Sequence, residues 1–183
     1  GAPPDDFAAK GQNWGFPTYN WERMRQDGYE WWQRRFKQMS NYFDAFRIDH
    51  VLGFFRIWSI PAHAVEGIMG RFVPAIPVDI AMFSEKGIAF NYSLFCEPYI
   101  TDAVLYELLG ENSNMVKDFL ELRQDGSYAL KPSFSTQRKV EAYFSSLEIN
   151  EENVLLQSAL YNLISNVILF EEEGSQQRQF HFR

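Results

Sequence analysis

The segment Asp44-Ala45-Phe46-Arg47-Ile48-Asp49-His50 limits most narrowly what this chain can become. The run from Phe43 to Ile48 is apolar and aromatic enough for a buried strand, and its far end delivers a cation, a carboxylate and an imidazole. In parallel α/β barrels the C-terminal strand ends are where catalytic side chains gather. A fixed Arg⁺ beside a carboxylate favours the charged form, and an ionised Asp is what covalent attack by a carboxylate requires. The residues alone also admit a plainer reading, an Arg–Asp pair that closes a strand end.

The flanks fix the organisation. Residues 1–20 read as loop, because Pro3, Pro4 and Pro17 with Gly1, Gly11 and Gly15 forbid a regular element. The spacing of Trp21, Met24, Tyr29, Trp32 and Phe36 predicts one helix from Trp21 to Met39, capped by Asn20, with Arg34, Arg35 and Lys37 on its polar face. A turn at Gly53 follows, then an aromatic segment to Pro61 and a short helical turn over 61–67. After Phe72 the character changes. Val73 to Val78 holds two prolines and is extended or irregular. Helices are expected over 101–109, stopped by Gly110, and over 114–122, 135–144 and 151–165, with a turn at Asp125-Gly126. Val167 to Phe170 and Gln179 to Phe182 read as a strand pair joined by the polar turn 171–177.

Composition removes several classes. At 183 residues there is room for one domain with a substantial core. A net charge of −7 offers no basic stripe for phosphates, so no nucleic-acid partner is expected. There is no Gly-rich phosphate loop, and His63 and His181 stand alone with no Cys or carboxylate at ligand spacing, so no metal and no cofactor are expected. Cys96 is the only cysteine, which rules out an intrachain disulfide and reads as an inert, buried thiol. No apolar run reaches the length of a membrane span, and no signal-peptide pattern is present. Gly1-Ala2-Pro3-Pro4-Asp5 without a methionine, and an end at Arg183 without a stop signal, suggest a piece of a longer chain.

Gly1 to Phe7, then Gly11-Gln12-Asn13-Trp14-Gly15-Phe16-Pro17-Thr18-Tyr19-Asn20-Trp21, then Arg47-Ile48-Asp49-His50 stand in the order, and with about the gaps, of one enzyme family. Together they resemble the 4-α-glucanotransferases, the amylomaltase or disproportionating-enzyme family of glycoside hydrolases. Val51-Leu52-Gly53-Phe54-Phe55-Arg56-Ile57-Trp58 looks most like the type-2 branch, since other members follow Asp-His with Phe-Arg-Gly. The resemblance implies an α/β fold: part of a (β/α)8 TIM-barrel catalytic domain over 1–72, then a mainly helical insertion over 73–183, and not a complete barrel. It implies a cytoplasmic transferase that moves α-1,4-glucosyl units among maltose, malto-oligosaccharides and glucans by double displacement. Asp49 would be the nucleophile, Arg47 the neighbour that orients it and keeps it ionised, and His50 a donor to a sugar hydroxyl. Gln12, Asn13, Trp14 and Tyr19 would lie beside the acceptor sugars, with Asp5 as a further contact. The acid/base glutamate, within Glu-Asp-Leu-Gly in the family, has no match before Arg183.

Read as residues, these positions keep their alternatives. Trp14 on a Gly-flanked loop is either a stacking platform or a loop anchor, and His50 either meets a ligand or bonds to backbone. Asp5 either meets a hydroxyl or shapes a turn, and Asp6 reads as turn chemistry. Two other functional classes compete: a helical interaction or oligomerisation module built on Val154, Leu155, Leu160, Leu163 and Ile164, and a glucan-binding module without chemistry. A lone parallel strand has two unpaired edges, so Phe46 to Asp49 is expected either to self-associate or to adopt another local structure.

Overall fold

A computed structural model describes residues 1–172 and 178–183. The chain forms two compact units, Gly15–Ile57 on one hand and Gly1–Trp14 with Trp58–Arg183 on the other. Helices and three small sheets are mixed, and no closed barrel forms among the described residues.

In the Gly15–Ile57 unit, α1 (Trp21–Gln26) and α2 (Glu30–Met39) replace the single helix expected over 21–39. Asn20 caps α1 as expected, accepting from the Arg23 N–H at 3.0 Å. The break is local chemistry. Gly28 and Tyr29 take positive φ, 67° and 63°, and Asp27 Oδ1 accepts from the Glu30 N–H at 3.2 Å to start the second helix. The strand expected at Phe43 to Ile48 does not form. The segment is irregular, and Phe43, Phe46 and Ile48 keep 63%, 46% and 42% of their surface exposed. A strand needs a ladder partner, and no strand lies within 15–56 to supply one. The Phe46 ring instead stacks on Phe36 of α2 with centroids 5.0 Å apart.

Past the Gly1–Trp14 loop, the other unit resumes at Trp58 within β1 (Ile57–Ser59), which lies beside β2 (Arg71–Val73) and is followed by β3 (Val78–Asp79). Two short helices, α3 (Ile80–Glu85) and α4 (Tyr92–Cys96), bring Phe83, Phe90 and Phe95 together, and Phe90 packs on Phe180 at 4.8 Å. α5 (Asp102–Leu109) runs from its Thr101 cap to Gly110, as the sequence indicates. The helix expected over 114–122 is a 3-10 segment, Gly110–Phe119, that gives way to β4 (Leu120–Leu122). Asn112, Ser113 and Asn114 are weak α-helix formers, and Leu120–Leu122 finds a ladder partner in β5 (Tyr128–Leu130) across the Asp125-Gly126 turn, with Gly126 at φ 84°.

α6 (Gln137–Phe144) and α7 (Glu151–Ser165) follow, capped by Thr136 and Asn150. Leu105, Val116, Val140, Leu160 and Leu163 of this region are essentially fully buried and form the heart of the core. Val154 and Leu155, grouped with Leu160 and Leu163 in the sequence reading, are instead 54% and 40% exposed. The expected pair is present: β6 (Leu169–Glu171) lies antiparallel to β7 (Gln179–Phe182), with Leu169 opposite Phe182. β7 also pairs with β3, a contact across a hundred residues that sequence periodicity cannot reveal. Of the turn read over 171–177, residues 173–177 lie outside the described residues.

Candidate functional site

Within the Gly15–Ile57 unit, the aromatic residues that fail to make a buried helix face build a cleft instead. Tyr19, Trp21, Trp32, Phe36, Phe46 and Phe54 supply its walls, in a space of about 330 Å³. Trp32 is the hinge of this wall. It stacks on Phe36 at 5.4 Å and meets Phe54 at 4.9 Å and Tyr19 at 5.2 Å. Each such aromatic pair adds about 0.5–1.5 kcal/mol beyond burial, in a unit whose helices hold no fully buried side chain.

Arg47, Asp49 and His50 all line the same cleft, so the structure brings together the three chemistry-bearing residues of the sequence motif with Tyr19. Arg47 and Asp49 form an ion pair, Nε to Oδ1 at 2.6 Å, and both side chains remain mostly in solvent, at 88% and 78% exposure. His50 takes a left-handed backbone, φ 52°, and heads the 3-10 turn Val51–Phe54. Its ring lies against Gly53, where a Cβ would stand 2.8 Å from His50 Cδ2. The absence of a side chain at Gly53 is what lets the imidazole sit there.

Arg35 is a cleft residue that the sequence reading placed on a helix's polar face. Its guanidinium lies 5.2 Å from the Trp31 ring and 5.9 Å from the Trp32 ring. The spacing i−4 and i−3 from Arg35 to the two indoles was the available signal, since helical neighbours at those separations meet. Asp49 is the one carboxylate among the residues that line the cleft.

Four further sequence candidates, Asp5, Gln12, Asn13 and Trp14, belong to the other unit. Trp14 is 49% exposed, and its Nε1–H donates to Gln12 Oε1 at 3.0 Å. Asn13 Nδ2 donates to the Val65 carbonyl at 3.0 Å. Asp5 Oδ1 accepts from the N–H groups of Phe7 and Ala8 at 3.0 and 2.7 Å, so this oxygen shapes its own turn.

Outside these places, the described residues hold no group of three His, Cys, Asp or Glu able to bind a metal ion, and no helix long and apolar enough to cross a membrane.

Aromatic rings offer the cleft flat apolar faces, and a carboxylate, two guanidinium groups and an imidazole can hydrogen-bond the polar groups of a ligand. A retaining displacement needs a second carboxyl group about 5 Å from the nucleophile, and the cleft lining does not supply it.

A family model described as 4-alpha-glucanotransferase, glycoside hydrolase family 77, matches residues 1–159. The 4-alpha-glucanotransferase DPE2 of rice (Oryza sativa subsp. japonica) is 39% identical over 178 residues, 94% of this chain and 19% of the rice protein. The 4-alpha-glucanotransferase of Streptococcus pneumoniae serotype 4 is 45% identical over 89 residues, 48% of this chain and 18% of its own. The potato (Solanum tuberosum) protein named 4-alpha-glucanotransferase, chloroplastic/amyloplastic, is 46% identical over 71 residues, 39% of this chain and 12% of its own. The chain thus spans about a fifth or less of the length of these relatives. No solved structure matches it.

Proposed function

Because the chain belongs to the 4-alpha-glucanotransferases, glycoside hydrolase family 77, we propose that it carries the nucleophile side of an α-1,4-glucan transfer site. Asp49 attacks the anomeric carbon of a bound malto-oligosaccharide, breaking its α-1,4 bond as the acid/base of the complete site protonates the departing sugar's oxygen. An acceptor-sugar hydroxyl, deprotonated by that same base, then displaces Asp49 from the glycosyl-enzyme to form a new α-1,4 bond. Arg47 pairs with the carboxylate and orients it, His50 donates to a donor-sugar hydroxyl, and Tyr19 offers a ring face. Gln12, Asn13 and Trp14 contact acceptor sugars, and Asp5 contributes through its second carboxylate oxygen. The observation that carries this reading is the convergence of Arg47, Asp49 and His50 on one aromatic-walled cleft.

The wider assignment rests on family membership. Residues 1–72 are read as a segment of a TIM-barrel catalytic domain and 73–183 as a helical insertion of the type-2 branch. The long match to the rice protein, against matches of half the chain or less for the bacterial and potato proteins described above, supports that branch. Maltose and malto-oligosaccharides are the donors, glucans the acceptors, and the cytoplasm the compartment.

Among the described residues that line the cleft Asp49 has no partner carboxyl, and this 183-residue chain by itself is expected to catalyse no transfer. The test is Asp49→Asn in a full-length family member that carries this segment, with glucose release from maltose measured in the presence of a glucan acceptor. Loss of several orders of magnitude is the expected result. A surviving rate would remove Asp49 as nucleophile.

A further inference from the structure

We propose that Gln137 is a positioning residue for the Gln12–Trp14 loop, acting through the turn at Ala64–Glu66. This inference rests on the reading of Gln12, Asn13 and Trp14 as sugar contacts. Gln137 opens α6, far along the chain, yet its side chain is completely buried. An amide buried to that degree is costly unless its groups are paired, and here both ends are used. Oε1 accepts from the Val65 N–H at 2.8 Å and from the Glu66 N–H at 2.9 Å. Nε2 donates to Glu66 Oε2 at 2.9 Å, with the Tyr161 carbonyl at 3.5 Å. The next residue adds its backbone, the Arg138 N–H donating to the His63 carbonyl at 3.1 Å.

The same turn is held on its other edge by the loop. Asn13 Nδ2 donates to Val65 O at 3.0 Å, with Ala64 O at 3.5 Å, and the Ile68 N–H donates to Lys10 O at 2.7 Å. Gly67 and Gly11 meet backbone to backbone: a Cβ on Gly67 would stand 2.3 Å from Gln12 N, and one on Gly11 would stand 2.9 Å from the Gly67 carbonyl carbon. There is no slack in that contact, so the turn and the loop move as one. Gln137 therefore fixes the donors of residues 65 and 66 while Asn13 takes the carbonyl of 65, and the Gln12–Trp14 pair rides on the result. A residue of the helical region thereby sets the pose of an indole in the N-terminal loop.

The test uses the 183-residue chain labelled with 5-fluorotryptophan, the Trp14 resonance being identified by its loss in Trp14→Phe. In Gln137→Leu the Trp14 line is expected to shift and broaden. In Leu169→Ala, a core truncation in β6, it is expected to stay in place. Gln137→Asn keeps the amide but shortens its reach, and gives the same readout with less disruption should Gln137→Leu not fold. An unmoved Trp14 line in a folded Gln137 variant overturns the proposal, as does an equal movement in Leu169→Ala. Maltoheptaose added to the wild-type chain reads the carbohydrate role separately. A Trp14 line that ignores the sugar counts against that role, whereas the Gln137 comparison decides the positioning.

Discussion

Arg47 and Asp49 form an ion pair, Nε 2.6 Å from Oδ1, although both side chains stand largely in water. An exposed ion pair contributes at most about 1 kcal/mol to stability, so folding gives little reason for this geometry. In the proposed transfer site its use is aim: the guanidinium stands against one carboxylate oxygen of the nucleophile.

Arg47→Gln is accordingly expected to leave the stability of the chain within about 1 kcal/mol of wild type. In a full-length family member carrying this segment, it should lower kcat by at least about tenfold through a misplaced nucleophile. Urea unfolding and steady-state transfer kinetics check the two halves. A large stability loss with unchanged kcat would make the pair structural.

His181 predicts an acid-sensitive sheet. It lies on β7, 5% exposed, and neither ring nitrogen has a hydrogen-bond partner among the described residues. Burial pushes the imidazole below its ordinary 6.5, and the Arg71 guanidinium pushes the same way, against the Glu172 carboxylate 3.6 Å from Nε2. The unfolded chain therefore takes up the proton first, so this contribution to stability is complete above about pH 6.5 and declines as the pH falls below it. Wild type should lose urea midpoint between about pH 7 and 5.5, and His181→Leu should lose less over that window. Parallel slopes would show that His181 does not titrate between the two states.

Cys96 is expected to be slow toward thiol reagents in the folded chain. Burial first, then the Glu171 carboxylate, pushes its thiol up to about 11. Only the thiolate reacts, so alkylation at about pH 8 should be roughly tenfold to hundredfold slower in the native chain than in urea. Equal rates would mean that the α4 region opens freely.

The elements legible in the sequence are those whose signals are local. Asn20, Thr101, Thr136 and Asn150 cap helices where the chain offers a short polar side chain before an apolar periodicity. The 151–165 helix and the Asp125-Gly126 turn follow from the same kind of evidence. Phe43–Ile48 departs from the expected strand because apolar content says that a segment wants burial, not which partner supplies it. Here Phe36 supplies part of it by stacking, and the ladder is absent. The cleft was half visible: Arg47, Asp49 and His50 are adjacent in sequence, whereas Arg35 joins them only once α2 is folded. Gln137 gave no sequence signal at all, since its role is defined by backbone groups seventy residues away.

Covalent trapping tests the central claim most directly. A full-length family member carrying this segment would be incubated with a maltosyl fluoride whose sugar ring bears an extra fluorine to slow breakdown of the glycosyl-enzyme, then digested and mapped by mass spectrometry. The account predicts a glycosyl ester on the peptide that contains Arg47-Ile48-Asp49-His50, located at Asp49 and absent in Asp49→Asn. A stable ester on another carboxylate, with Asp49 unmodified, would contradict it.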